Sequence, residues 1–188
     1  MGSTSRPIRR EWVTEWQTAL EVRMAYIGVV QQPQAIFTQN LSDCIAAAAV
    51  DEEGKTHLAH ANGGDPRASG FWGNQHRNAE QEFKGGDTPL MLALGTNYAL
   101  EDASGNSRAM GIHMGVKPWK DIIERYKWPP RIFLTNGYEQ KGVRIGRPGR
   151  WGISGRFGIS GGGEPLFYSQ ELNWEAFCQE NDLDPKFR

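Results

Sequence analysis

Apolar positions follow two rhythms along the chain. Near the start, Trp12, Trp16, Ala19 and Leu20 recur three or four residues apart. That spacing marks one face of a helix, so residues 9–23 read as an amphipathic helix. Beyond it the rhythm shortens. Residues 26–30 (Tyr-Ile-Gly-Val-Val) read as a strand, residues 31–34 as a loop and residues 35–38 as a short extended segment. Two further runs, residues 45–50 (Ile-Ala-Ala-Ala-Ala-Val) and 56–61, flank the turn Asp51-Glu52-Glu53-Gly54. They predict a β-hairpin in which Gly54 takes the positive φ that a three-residue loop requires. With Val50 set opposite Gly54, Cys44 falls opposite His60, and directly opposed β-carbons lie about 4.5–5.5 Å apart. His57 then belongs to the other, solvent-facing side. A one-residue slip would bring His57 to the cysteine face instead.

Downstream, residues 62–66 read as a loop and the polar stretch to Gly86 as irregular. Residues 89–100 are apolar and fit a helix or a strand pair; residues 103–106 form a turn. Residues 118–128 read as a helix with Trp119, Ile122, Ile123 and Tyr126 on one face, stopped by Pro129-Pro130. Residues 131–135 form a strand closed by Asn136-Gly137, with residues 142–145 as a hairpin partner, and residues 172–179 a short helix. The hexapeptide Arg150-Trp151-Gly152-Ile153-Ser154-Gly155 is followed at once by Arg156-Phe157-Gly158-Ile159-Ser160-Gly161. Two copies are too few for a solenoid and fit short twisted strands or a loop.

Length bounds this picture to one domain: 188 residues suffice for a real core. Residues 1–8 read as a flexible N-terminal segment and residues 9–188 as a single catalytic domain. The 23 glycines favour a strand-and-turn-rich fold over a helix bundle. Net charge is −1, so no global attraction to polyanions or membranes is implied. No apolar run approaches the roughly 18 residues of a membrane span. The N-terminal residues lack the apolar stretch of a secretory signal. Two cysteines, Cys44 and Cys178, make no disulfide framework and no zinc-type pair. They read as free thiols of a reducing compartment. No metal or other cofactor is expected.

Chemistry concentrates around Cys44. A thiol beside an imidazole is the minimum equipment for acyl transfer through a thioester. Thr38 lies six positions before Cys44, and His60 sixteen after it. The run Leu41-Ser42-Asp43-Cys44 precedes a small-residue strand, and His60 is followed by Ala61-Asn62-Gly63. Over residues 38–64 this pattern resembles the catalytic hairpin of a cysteine-hydrolase superfamily. Its members include CheD-like chemoreceptor glutamine deamidases and the catalytic domains of cytotoxic necrotizing factor toxins. Asp43 stands where a glycine is usual, and an acidic neighbour disfavours the thiolate.

The resemblance implies an α+β fold, a mixed and largely antiparallel sheet sandwich with flanking helices. It implies that Cys44 is the nucleophile, His60 the base and Thr38 the group fixing its tautomer. The expected activity is a protein glutamine deamidase, or a transglutaminase where an amine replaces water. Asn62, Gly63, Arg150, Trp151 and Arg156 are the expected substrate-binding residues. The expected partner is a protein substrate such as a host small GTPase, with a cognate immunity or chaperone protein. The expected location is that of a secreted effector or toxin module acting in a target-cell cytosol, or the cytoplasm if not exported. Two other readings stay open. One is another cysteine hydrolase or protease using the same dyad. The other is a non-catalytic binding domain using the basic glycine and aromatic stretch 141–163. That stretch holds Lys141, Arg144, Arg147, Arg150 and Arg156. An acidic protein surface suits it better than nucleic acid.

Overall fold

Strand-forming segments dominate because short apolar runs alternate with glycine and asparagine turns. The computed structural model describes residues 18–68, 70–72, 75–100, 105, 107–135, 138–139 and 153–186. They build two stacked sheets with helices on the far side of the second. The first sheet runs β1 (Leu20–Val22), β3 (Ile36–Leu41), β11 (Ile153–Ile159) and β10 (Tyr138–Glu139), with β12 (Pro165–Leu166) also on β11. The second runs β13 (Gln170–Leu172), β9 (Arg131–Leu134), β8 (Met91–Leu94), β4 (Ile45–Val50), β5 (Lys55–Ala61) and β2 (Ile27–Gln31). Pairing is antiparallel except for β1 with β3 and β8 with β9. Two short strands, β6 (Gly70–Trp72) and β7 (Gln75–Arg77), pair with each other. The helices are α1 (Ala79–Glu82), α2 (Arg108–Val116), α3 (Lys120–Ile123) and α4 (Trp174–Glu180). The result is the expected single-domain α+β sandwich.

Alternation along the central strands assigns each side chain to one of two cores. Ala46, Ala48, Leu58, Met91, Ala93 and Phe133 face the first sheet, where Val22, Ile36, Leu41, Phe157 and Ile159 meet them. Ile45, Ala47, Ala49, Ala59, Leu92 and Leu94 face the helices, against Ile112, Val116, Trp119, Ile122, Trp174 and Cys178. β4 is an unbroken apolar run because both of its faces are covered. Its alanines also keep the layers close and leave side-chain room opposite them.

Several expected elements differ. Leu20–Val22 is a strand paired in parallel with β3, not the end of a helix. Leu20 and Val22 both join the interior between the sheets, and that pairing overrides a periodicity carried by few residues. Residues 9–17 of the expected helix, with Trp12 and Trp16, lie outside the described residues, as do residues 1–8 and 142–145, and Thr18, Ala19 and Arg23 are not helical. Within the described residues the expected strand at 131–135, β9, pairs with β13 and β8. Residues 89–100 yield one strand, β8, then a 3-10 turn at Thr96–Ala99. Within 118–128 the helix shrinks to α3, entered through a 3-10 turn at Lys117–Trp119. Helix α2, capped by the Ser107 hydroxyl accepting from Met110 N–H, was not expected.

The hairpin register is shifted by two residues from the sequence expectation. Val50 pairs with Thr56 and Ala46 with His60. Gly54 has φ of 76° and is the last loop residue, so pairing begins only after it. Asp51 N–H donates to Lys55 O at 2.9 Å. The Asp51 carboxylate accepts from the Glu53 and Lys55 amides, each at 2.9 Å. A two-residue shift preserves faces, so Cys44 and His60 remain on one side of the hairpin as diagonal rather than direct neighbours.

Candidate active site

The site grows out of a bulge. Phe157 pairs with Thr38 and Gly155 with Leu41, so β3 carries one residue more than β11 between them. Asn40 absorbs it with φ of 63°, a conformation asparagine tolerates. Thr38 and Leu41 therefore both turn inward and are fully buried. The chain then leaves the first sheet, turns through Ser42-Asp43, and enters β4 of the second sheet at Cys44. The thiol lies at the rim of the inter-sheet core and is 5% exposed. Asp43 beside it, and Asn62 and Gly63 on the turn after β5, are exposed.

His60 projects from the second sheet into the same interior and is 1% exposed. The methyl of Ala46, its cross-strand partner, leaves room for the ring. Its Nδ1 lies 2.7 Å from the Thr38 hydroxyl, which lies 2.6 Å from the Val22 carbonyl. A carbonyl can only accept, so the hydroxyl proton goes to Val22 O. The hydroxyl oxygen must then accept from Nδ1–H. This fixes the tautomer: Nδ1 carries the proton and Nε2 an open lone pair. Among the described residues nothing hydrogen-bonds to Nε2, the Cys44 thiol included. Burial pulls the His60 pKa down to about 4, so the ring is neutral near pH 7. The expected trio of Thr38, His60 and Cys44 thus shares one end of one interior, with Thr38 and His60 joined across the two sheets.

The Cys44 thiol is held by a backbone donor. Burial pushes its pKa up, the Gly63 N–H opposes this by donating to the sulfur, and the Asp43 carboxylate raises it further. The resting group is a thiol, not half of an ion pair with His60. Glycine is needed nearby for steric reasons. A β-carbon on Gly95 would overlap the Ser42 carbonyl, while Gly95 N–H donates to Cys44 O at 2.9 Å. Asn97 reinforces the corner through its amide to Ser42 O and its side chain to Asp43 Oδ1 at 2.6 Å. The Tyr98 hydroxyl donates to Asp43 O at 2.8 Å, and Trp119 Nε1 donates to Gly64 O at 3.0 Å. None of Gly95, Asn97, Tyr98 or Trp119 is legible as a site residue from sequence, since each acts across roughly fifty positions.

The other expected contacts divide. Gly63 supplies the thiol's donor and Asn62 lies on the same turn. Arg150 and Trp151 lie outside the described residues. Arg156 alternates with the inward residues Phe157 and Ile159, so it belongs to the outer face of the first sheet, away from His60.

His57 occupies the opposite face, as alternation requires, and is half-buried there between two carboxylates. Its Nδ1 meets Glu82 Oε1 at 2.7 Å and its Nε2 meets Asp51 Oδ2 at 2.8 Å. Both ring nitrogens must donate, so the ring is an imidazolium. Its pKa is raised by Glu82, against burial, and by Asp51. A cleft of about 760 Å³ lies here, lined by Asp51, His57, Glu82, Phe83 and Tyr126. With both nitrogens committed, His57 has no lone pair for base chemistry. That leaves His60 as the imidazole equipped to take a proton beside Cys44. No protein-family model matches the chain, and no curated protein matches it above chance.

Proposed function

We propose that this chain is a Cys–His amidohydrolase that deamidates a glutamine side chain of a protein substrate through a thioester on Cys44. The observation that carries the reading is the tautomer of His60. Thr38 holds the proton on Nδ1 and leaves Nε2 as an unpartnered, neutral base on the face that bears Cys44. Diagonal neighbours on an antiparallel pair lie about 7–8 Å apart, within reach of a long side chain.

In the proposed reaction, rotation about the Cα–Cβ bond of Cys44 carries the sulfur from the Gly63 amide toward Nε2. Nε2 takes the thiol proton as sulfur attacks the carboxamide carbon. The tetrahedral oxyanion collapses, the C–N bond breaks, and Nε2–H protonates the departing nitrogen as ammonia. Water, activated by the same Nε2, attacks the thioester, releasing glutamate and restoring the thiol. Thr38 accepts from Nδ1–H throughout and keeps the ring oriented. The raised pKa of Cys44 fits proton transfer during attack rather than a stored thiolate. The exposed turn of Asn62 and Gly63 suits a glutamine presented on a protein surface. An effector or toxin setting, a small GTPase target, and an immunity or chaperone partner rest on the family resemblance.

The test is incubation with candidate small GTPases. Deamidation releases ammonia and adds about 1 Da as –NH₂ becomes –OH, and Cys44→Ala and His60→Ala abolish both. Ammonia release undiminished in Cys44→Ala refutes the reading. Chain cleavage without ammonia would favour a protease using the same dyad.

A further inference from the structure

Tyr98 belongs to the 3-10 turn after β8, some fifty residues from Cys44 in sequence, yet its hydroxyl joins both loops that flank the thiol. It lies 2.8 Å from the carbonyl oxygen of Asp43 and 3.4 Å from that of Gly63. Its ring is wedged from two sides by glycines. A β-carbon on Gly115 of α2 would come within 2.6 Å of the ring, and one on Gly64 would overlap the hydroxyl. Burial first, then the nearby Cys44 and Asp43, push the Tyr98 pKa up to about 12, so the hydroxyl keeps its proton and remains a donor.

The consequence follows from peptide planarity. The carbonyl of Asp43 and the N–H of Cys44 belong to one rigid amide and point in opposite directions. Fixing the first fixes the second. The hydroxyl's single proton goes to Asp43 O, and its longer 3.4 Å contact to Gly63 O, with Trp119 on Gly64 O, packs against the two amides that follow Gly63, in the turn whose Gly63 N–H reaches the Cys44 sulfur. We propose that Tyr98 is a positioning residue that holds the backbone N–H groups of Cys44 and Gly63 as the pair of donors for the oxyanion. This rests on the Cys44–His60 reading above.

Two probes separate the role from a structural one. Iodoacetamide alkylates the thiol by direct displacement of iodide, with no oxyanion. p-Nitrophenyl acetate acylates it through a tetrahedral oxyanion: the S–C bond forms, the C–O bond breaks, p-nitrophenolate leaves and the thiol proton passes to His60. Tyr98→Phe removes only the hydroxyl. It should slow Cys44 acylation roughly 10- to 100-fold, short of the full 10²–10³ for deleting a donor. Alkylation should fall by less, because it forms no oxyanion and feels only the Gly63 N–H at the sulfur, so the acylation-to-alkylation ratio drops. If the variant does not fold, Gly115→Ala, which displaces the ring but keeps the hydroxyl, should lower the same acylation-to-alkylation ratio. p-Nitrophenol release that persists in Cys44→Ala overturns the dyad reading and this inference with it. Cys44-dependent release with an unmoved ratio overturns this inference alone.

Discussion

Acid should destabilise this protein through one ring. His60 is 1% exposed and its pKa falls from 6.5 to about 4 on burial. As pH drops below 6.5 the unfolded chain takes up a proton at this position and the folded chain does not. The stability tied to a neutral His60 is therefore complete above pH 6.5, drains away as pH falls, and levels off below about 4, where both states are protonated. Each pH unit in that window costs about 1.4 kcal/mol, so the total loss is about 3 kcal/mol. That is a large share of a typical folding free energy of about 5–15 kcal/mol.

The assay is urea unfolding followed by tryptophan fluorescence from pH 7.5 to 4, on wild type and His60→Asn. Asparagine keeps an N–H donor for Thr38 but does not titrate. Carboxylates common to both proteins cancel in the difference. The wild-type curve should fall away from the variant's between pH 6.5 and 4. Parallel curves across that window would refute the burial argument and the neutral-base assignment built on it.

Three further outcomes follow from the same geometry. Thr38→Val strands the buried Nδ1–H and should cost about 1–3 kcal/mol in denaturant unfolding, together with activity. Thr38→Ser keeps the hydroxyl and should retain most of both. Gly95→Ala drives a methyl into the Ser42 carbonyl and should lower stability by about 1–3 kcal/mol, read from the urea midpoint. His57 titrates with the opposite sign: its raised pKa gives stabilisation that is complete below pH 6.5 and lost as pH rises through the folded value. His57→Ala should erase that alkaline loss and cost about 1–3 kcal/mol near neutrality.

What could be read from the sequence was local. The hairpin and the shared face of Cys44 and His60 depend on alternation and spacing within residues 44–60, and the choice of Thr38 on the family resemblance. The two-residue difference in register follows from Gly54, whose positive φ makes it part of the loop rather than a paired residue. Helix α2 escaped because Gly111 and Gly115 depress helix propensity. Both glycines are explained by Tyr98, since a β-carbon at either would come within 2.6 Å of it. The clamps on the site were unreadable for the same reason: Tyr98 on Asp43 and Trp119 on Gly64 join segments fifty or more positions apart. Geometry was legible where the chain folds back on itself at once, and silent where distant segments meet.

The extra residue at Asn40 acts as a phase setter for everything after it. With strict pleating from Thr38, the position now held by Leu41 would emerge on the outer surface. The corner would then deliver residue 44 half a repeat out of step, sending its sulfur toward the helices rather than toward the imidazole. A one-residue insertion in β11 between Gly155 and Phe157 would pair the extra residue, restore strict pleating, and part Cys44 from His60 with both sheets still standing.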